Sequence, residues 1–418
     1  MHDFKFKNNE LFCERVRVAA VARAVGTPFY LYSYKTLTDH FTKIQTAFRR
    51  IDPIICYAMK ANDNLSIVKA LLNKGAGLDI VSGGELRKAI QLNADPKKIV
   101  FASVGKTEEE IALAIQERIL FLNVESVPEL ETIDRVARRL HTRPQVAIRV
   151  NPDVEAATHD FITTGTLKKK FGVDLRSTRQ ILRTQKRFPH VRINGLHIHI
   201  GSQITQAKPF IDAIKKTLGF IESLRREGIE LEYLDIGGGL GIIYRDEKPQ
   251  TARDFAAAVL PMLTRSNLKI IMEPGRFIVG NAGIFVTKVL YTKDNGYKKF
   301  LIVDGGMNDL IRPSLYGSYH EIVPVKKTTA AKIKVDVVGP ICESGDFFAK
   351  ERSLPKMANN TLLAIMSAGA YGYTMSSNYN ARCHVAEVIA RGNRFFVIRK
   401  RQGFADLIKN ERMPEFLK

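Results

Sequence analysis

The feature that most constrains this chain is a pattern repeated eight times between about residues 36 and 280: a short β-rich run, a cluster of turn residues, then apolar residues at helical spacing. The β-rich runs lie at 56–60, 77–82, 99–103, 120–124, 146–151, 196–200, 233–236 and 270–273. Amphipathic stretches at 67–72, 84–92, 127–140, 210–226 and 252–263 fall between them. Strands separated by helices pair in parallel, so eight such units predict an α/β fold, a TIM-like (β/α)8 barrel. Past Gly280 the texture changes. Runs of β-branched and aromatic residues at 284–291, 300–304, 333–338, 362–366, 384–389 and 395–398 show little helical periodicity and predict a C-terminal β-rich domain. The expected division is a barrel over 36–280 and a β domain built from 281–418 together with the pre-barrel segment 1–35.

With 418 residues and 45% hydrophobic side chains the chain can bury cores of this size. No apolar run approaches the roughly 20 residues of a membrane span, and the first residues are charged rather than basic and then apolar. Cys13, Cys56, Cys342 and Cys383 are too few and too scattered for a disulfide framework or a zinc knuckle. A reducing cytoplasm is the expected location, and no membrane is expected as a partner. Lys+Arg 64 against Asp+Glu 43 gives a formal charge of +21, which attracts anions. The basic stretches at 168–170, 326–334 and 391–401 are not interleaved with aromatic residues as in a nucleic-acid module. They read as a solvated basic surface, with no specific nucleic acid as partner.

In such a barrel chemistry sits at the C-terminal ends of the strands, and the polar residues and glycines of this sequence collect there. Lys60 closes the first run, ahead of the turn residues Asn62, Asp63 and Asn64. An amine at a strand end beside a helix start is placed to form an imine, although an isolated lysine there reads as a solvated side chain. Asp79 lies in the second run, ahead of Ser82-Gly83-Gly84-Glu85. The sixth run carries His197 and His199, the seventh leads into Asp235-Ile236-Gly237-Gly238-Gly239, and the eighth ends in Glu273-Pro274-Gly275-Arg276. Successive glycines let backbone N–H groups approach a phosphate, and they serve a plain tight turn equally well. The dinucleotide fingerprint is absent, because its third glycine falls at Ile242; Gly105-Lys106-Thr107 mimics the end of a P-loop whose first glycine falls at Val100. His197 and His199, two apart on a strand, face the same way and could bind a metal if carboxylates completed the set; the plainer reading is one packed and one hydrogen-bonded imidazole. An amine nucleophile, a phosphate cradle and a strand-end carboxylate fit together if the ligand is pyridoxal 5'-phosphate. The lysine forms the imine, the glycines hold the phosphate, and Glu273 keeps the pyridine nitrogen protonated, which favours loss of CO2 from the α-carbon and needs no metal.

Taken together, these motifs resemble the alanine-racemase-fold (fold type III) group of pyridoxal-phosphate decarboxylases, and within it the diaminopimelate decarboxylases. The resemblance covers nearly the whole chain. It runs through Leu11-Phe12-Cys13-Glu14, Gly26-Thr27-Pro28, 57–62, 77–86, 195–204, 235–239, 273–276 and Arg312-Pro313-Ser314-Leu315-Tyr316. It ends in Cys342-Glu343-Ser344-Gly345-Asp346 and Ala368-Gly369-Ala370-Tyr371-Gly372. It implies decarboxylation of meso-2,6-diaminopimelate to L-lysine and CO2, the last step of lysine biosynthesis. Lys60 is then the cofactor lysine, and His199 packs on the cofactor ring. Ser202, Gly238, Gly239, Gly275 and Arg276 hold the phosphate side, Asp79 and Pro274 line the same site, and Glu273 meets the pyridine nitrogen. Racemases of this fold place an arginine at that nitrogen, so Glu273 favours decarboxylation.

The resemblance also assigns the substrate's second amino-acid head. Arg276, Arg312 and Tyr316 correspond to the carboxylate-binding set, and a guanidinium fork suits that group. Glu343 corresponds to the residue meeting the distal ammonium, and Tyr371 to one touching cofactor and substrate. An ornithine decarboxylase has no use for the Arg312 fork and typically reads Cys-Asp where this chain has Cys342-Glu343. Cys342 corresponds to the proton donor, although a free cysteine is more often a small buried hydrophobe. In the family this segment enters the neighbouring subunit's site, which implies a homodimer with shared sites. Two departures stand out: Lys169 before Lys170-Phe171-Gly172, and Thr374, both where serine is frequent in the family. Two other readings stay open, a decarboxylase of arginine, ornithine or carboxynorspermidine, and a cofactor-lacking relative that binds RNA through its basic surface.

Overall fold

The computed structural model describes residues 2–154 and 170–418. Lys168 and Lys169 of the first basic stretch, the departure at Lys169, and His159 lie outside the described residues. The chain divides into two compact units: Thr38–Ile242 with Glu247–Ile278, and Met1–Leu37 with Ile243–Asp246 and Val279–Lys418.

The first unit holds the expected barrel. Eight strands, Ile54–Ala58, Gly77–Ile80, Ile99–Ala102, Phe121–Val124, Gln145–Arg149, Arg192–His197, Tyr233–Asp235 and Lys269–Met272, pair in chain order and close, the last against the first. All the pairings are parallel. These strands read as near-continuous apolar runs because both faces are covered; every residue of Ile99–Ala102 is buried. One interior cluster joins Cys56, Val100, Leu120, Phe121, Ala147, Tyr233 and Ile271, with the Phe121 and Tyr233 rings edge-on at 4.9 Å. Gly195 in the sixth strand makes room for that pair, since a Cβ there would stand 3.3 Å from the Phe121 ring.

Strand ends pass to helices through capping side chains. Asn64, Ser82, Thr107, Ser126, Asp174 and Thr251 each accept a backbone N–H from the first turn of the helix that follows. Each cap satisfies an otherwise orphaned donor and contributes about 1 kcal/mol. The first strand stops at Ala58, so Lys60 does not close it but stands in a 3-10 turn, Met59–Ala61. Two bonds turn the chain there: the Tyr57 hydroxyl donates to the Asn62 carbonyl at 2.9 Å, and Ala58 N–H donates to the Pro274 carbonyl at 3.2 Å.

The second unit is built on a nine-stranded mixed sheet and a three-stranded meander formed by Phe4–Lys7, Glu10–Cys13 and Val16–Arg17. Its longest strand, Gly283–Asp294, pairs with Phe29–Ser33, Lys299–Val303 and Leu362–Ile365. Phe29–Ser33 in turn pairs in parallel with Ala386–Arg391. Leu11, Val21, Phe29, Leu31, Ile284, Val286 and Val388 belong to its core. A strand at Phe347–Pro355, outside the expected set, pairs with Lys332–Val338. Lys350, Glu351 and Arg352 hide its alternation, and the register shifts where Glu351 takes a positive φ of 47°.

Candidate active site at the barrel strand ends

Lys60 Nζ donates to Asp79 Oδ2 at 2.8 Å, and Asp79 is fully buried in the second strand. Burial, and then the charge of Glu273, raise the Asp79 carboxyl to about 6 against the opposing pull of Lys60. Glu273 follows the eighth strand and is 3% exposed. Its Oε2 takes a hydrogen bond from His197 Nε2 at 3.2 Å, while its Oε1 has no partner among the described residues. Burial alone would raise this carboxyl; His197, and then Lys60, outweigh burial and hold it below the ordinary carboxylate range.

The two histidines separate in role. The sixth strand ends at His197, whose neighbours are carboxylates: His197, Asp235 and Glu273 bring one ligand atom each to within 4.8 Å of one another, a grouping that could hold a metal ion. The metal reading had paired His197 with His199. Instead His199 Nδ1 accepts the Gly238 N–H at 3.2 Å, and burial, helped by the charges of Lys60 and Arg149, pulls its pKa well below the usual value. The His199 ring is therefore neutral at neutral pH.

The glycines are needed for close backbone approach. A Cβ on Gly238 would stand 2.1 Å from the Glu273 carbonyl oxygen, and one on Gly239, at φ +110°, 2.4 Å from the Gly201 carbonyl oxygen. Beside them Arg276 donates to Ser202 Oγ from Nε at 3.2 Å and from Nη2 at 3.0 Å. Gly275 lets the Pro274-Gly275 turn lie against the first strand, where its Cβ would meet that of Ala58 at 3.0 Å. A buried carboxylate oxygen that no donor among the described residues meets, a lysine amine, a neutral imidazole and a glycine wall beside a guanidinium form the donor set for a planar nitrogen heterocycle bearing an aldehyde and a phosphate. The residues fit pyridoxal 5'-phosphate.

Some charged residues escaped sequence reasoning. Arg149 pairs with Glu125 at 2.8 Å with both side chains buried, and Glu125 Oε2 accepts the Gly172 N–H at 3.0 Å. The available signal was an arginine inside the apolar run Ala147-Ile148-Arg149-Val150. Glu85 accepts the Val81 N–H at 2.8 Å, and burial raises its carboxyl to about 7. Lys106, of the P-loop-like Gly105-Lys106-Thr107, points inward to Glu129 Oε1 at 2.6 Å.

In the second unit Arg312 opens the short helix Arg312–Tyr316 and is 4% exposed. Its guanidinium donates to Ser318 Oγ at 3.2 Å and lies over the Tyr244 and Tyr316 rings at 5.3 and 5.7 Å. Ser314 of the same helix donates to the Gly345 carbonyl at 2.5 Å, tying it to the Cys342-Glu343-Ser344-Gly345-Asp346 loop. Asp346 fixes that loop by accepting the Met307 and Ile341 N–H groups, each at 2.7 Å. Cys342 and Glu343 are exposed; the Cys342 N–H donates to Asn380 Oδ1 at 2.8 Å, and Glu343 Oε2 accepts the Tyr379 hydroxyl at 3.2 Å. Tyr371 takes a positive φ of 55°.

Residues 34–280 match the family described as pyridoxal-dependent decarboxylase, pyridoxal binding domain. The diaminopimelate decarboxylase of Aquifex aeolicus is 45% identical over 97% of this chain and 96% of its own length, and that of Neisseria meningitidis serogroup A is 45% identical over 96% and 98%. A crystal structure of diaminopimelate decarboxylase from Helicobacter pylori complexed with L-lysine is similar at a TM-score of 0.91 with 40% identity, covering 94% of this chain and 98% of that one. The enzyme from M. jannaschii, in co-complex with L-lysine, is similar at a TM-score of 0.95 with 37% identity over 100% of both chains. With a strand-end lysine, a buried glutamate and a glycine wall in a closed barrel, and identity of this extent along its whole length, the chain belongs to the pyridoxal-dependent decarboxylases, in the diaminopimelate decarboxylase family.

Proposed function

We propose that the chain removes one carboxyl group of meso-2,6-diaminopimelate as CO2 and leaves L-lysine, using pyridoxal 5'-phosphate held at the barrel strand ends, as the last step of lysine biosynthesis. The observation that carries the cofactor assignment is the buried Glu273 with Oε1 unpartnered among the described residues. The substrate assignment rests on identity to diaminopimelate decarboxylases over nearly the whole chain. Bound there, the cofactor withdraws electrons from the α-carbon so that its bond to the carboxylate can break.

The chain's own residues then divide the work. Lys60 carries the cofactor, and Asp79 Oδ2 steers its amine. Glu273 holds a proton on the ring nitrogen. His199, neutral and fixed by the Gly238 N–H, covers the ring face without adding charge. Ser202, Gly238, Gly239, Gly275 and Arg276 take the phosphate, with Pro274 in the adjoining turn. By correspondence with the family we assign the carboxylate of the distal head to Arg312, Tyr316 and Arg276 and its ammonium to Glu343, while Tyr371 touches cofactor and substrate. Cys342 returns a proton to the α-carbon after CO2 leaves. The exposure of Cys342 and Glu343 in a single chain supports their service to a second copy, so the working form is a homodimer with shared sites. No helix of the described residues is long and apolar enough to cross a membrane; the cytoplasmic location is part of this proposal and rests on the biosynthetic role.

The test is to mix purified protein with pyridoxal 5'-phosphate, record the visible absorbance band, fix it with borohydride and locate the modified residue. Meso-diaminopimelate is then added while CO2 and lysine are measured. Modification of Lys60 with equal CO2 and lysine is expected. A band without lysine moves the substrate to ornithine, arginine or carboxynorspermidine, and no band overturns the cofactor assignment.

A further inference from the structure

Glu273 is a carboxylate in one of the most enclosed places in the barrel, and what keeps it ionised is not evident from its own sequence neighbours, Met272 and Pro274. Two buried groups adjoin it, His197 at 1% and Asp235 at 2% exposure, and the three are mutually within 4.8 Å. Two carboxylates that close and that dry cannot both carry charge. The hydrogen-bond pattern says which one does. Glu273 Oε2 is met by His197 Nε2 at 3.2 Å, whereas the Asp235 side chain takes the Gly237 N–H on Oδ1 at 2.8 Å and otherwise meets Glu273 itself, a contact between two carboxyl groups that requires one of them to keep its proton. A carboxylate offers only lone pairs, so Nε2 is the donor to Glu273.

We propose that His197 and Asp235 are positioning residues that keep the negative charge of this cluster on Glu273: His197 by donating Nε2–H to Oε2, and Asp235 by remaining a protonated acid. Oε1 is thereby left to hold the proton on the cofactor's ring nitrogen. The inference rests on the assignment of Glu273 to that nitrogen. It gives His197 a task separate from that of His199, and it makes the aspartate ahead of the glycine run part of the electrostatics rather than of the phosphate wall.

The test compares the affinities of the full-length apoprotein for pyridoxal 5'-phosphate and for its 1-deaza analogue, in which a C–H replaces the ring nitrogen. Binding is followed by absorbance with no substrate present. A charge-assisted hydrogen bond predicts that the wild type prefers the natural cofactor by roughly 10- to 150-fold. His197→Phe should bring the ratio close to one, as should His197→Asn, whose shorter amide stops short of Glu273 while keeping a polar side chain. His197→Gln, which can still donate, should restore most of the preference. Asp235→Asn, a neutral isostere of the protonated acid, should leave the ratio within about twofold. A wild-type ratio kept by His197→Asn, or loss of both affinities in equal proportion, makes His197 a packing residue and overturns the proposal. A ratio that changes severalfold in Asp235→Asn places charge on Asp235 and overturns it as well. If the wild type itself shows no preference, the contact of Glu273 with the ring nitrogen fails instead.

Discussion

Replacing Lys106 with methionine keeps the aliphatic stem and removes the ammonium. The Lys106 side chain is 0% exposed and that of its partner Glu129 8%. Nζ donates to Glu129 Oε1 at 2.6 Å and to the carbonyls of Ser103 and Asn123 at 2.8 and 2.7 Å, joining the exits of the third and fourth strands. At an effective dielectric of about 20 the pair's gross attraction is roughly 6 kcal/mol, much of it offset by desolvation of both charges. Burial accordingly depresses the Lys106 pKa, against the pull of Glu129. The net quantity that matters is the cost of removing one partner, which strands a buried carboxylate and two carbonyls and amounts to about 4 kcal/mol. For a domain of this size each kcal/mol moves the melting temperature by about 2–4 °C, so Lys106→Met should melt roughly 8–16 °C below the wild type. Thermal denaturation of the apoprotein followed by circular dichroism measures this. Lys106→Met combined with Glu129→Leu should recover more than half of the loss, since removing both charges is far less costly than removing one. Recovery stays incomplete because Glu129 Oε2 also accepts the Glu125 N–H at 2.7 Å. A fall below about 3 °C, or a double variant no more stable than the single one, refutes the claim that this lysine is an internal brace.

Glu85→Gln tests a pH-dependent term. The folded carboxyl sits near 7 against an ordinary 4.5, so folding takes up a proton, and the wild type loses stability as pH rises from about 4.5 to about 7. The glutamine variant should gain on the wild type across that window, by at most roughly 3 kcal/mol in urea denaturation, and a difference flat with pH removes the effect. Lys60→Ala should abolish turnover and the borohydride-fixed adduct; a normal rate overturns the mechanism. Arg312→Ala should weaken diaminopimelate binding by roughly 2–5 kcal/mol, and an unchanged KM takes Arg312 out of the specificity set. Cys342→Ala should slow protonation, so that lysine forms later than CO2 within a single turnover, while cofactor affinity holds; loss of cofactor makes Cys342 structural instead.

The barrel was legible because its strands are buried on both faces and six of its helices begin at capping residues, so apolar runs and Ser/Thr/Asn/Asp signals alternate along most of the sequence. Boundaries were less so. Lys60 reads as the last residue of a strand because Met59 and Lys60 continue the run, but the bonds that end the strand at Ala58 come from Pro274 and from within the turn. The strand Phe347–Pro355 was hidden because its outward residues are charged and its register is shifted at Glu351. Among site residues, those in glycine-rich or paired motifs could be picked out. Arg149, Glu125 and Lys106 could not, because a charge within an apolar run shows its meaning only once its partner, on another strand or helix, is known.

The same closure explains how the candidate site is assembled. Lys60 and Glu273 stand near opposite ends of the barrel sequence, yet the last strand pairs with the first through Ile271 with Ile54 and Met272 with Ile55. Strands six, seven, eight, one and two therefore form one contiguous arc. That arc carries His197, Asp235, Glu273, Lys60 and Asp79 at or just past its ends, and the glycines that keep its backbone close. Strands three, four and five complete the circle, and their ends hold the buried pairs Lys106–Glu129 and Arg149–Glu125. One side of the barrel mouth thus has an amine and carboxylates, among them Glu273, whose Oε1 takes no hydrogen bond from a donor among the described residues. The other side has its charges neutralised internally. A substitution in the first arc should change cofactor affinity at nearly constant stability, and one in the second should change stability first. Asp79→Asn and Arg149→Met, compared in both assays, decide whether that division holds.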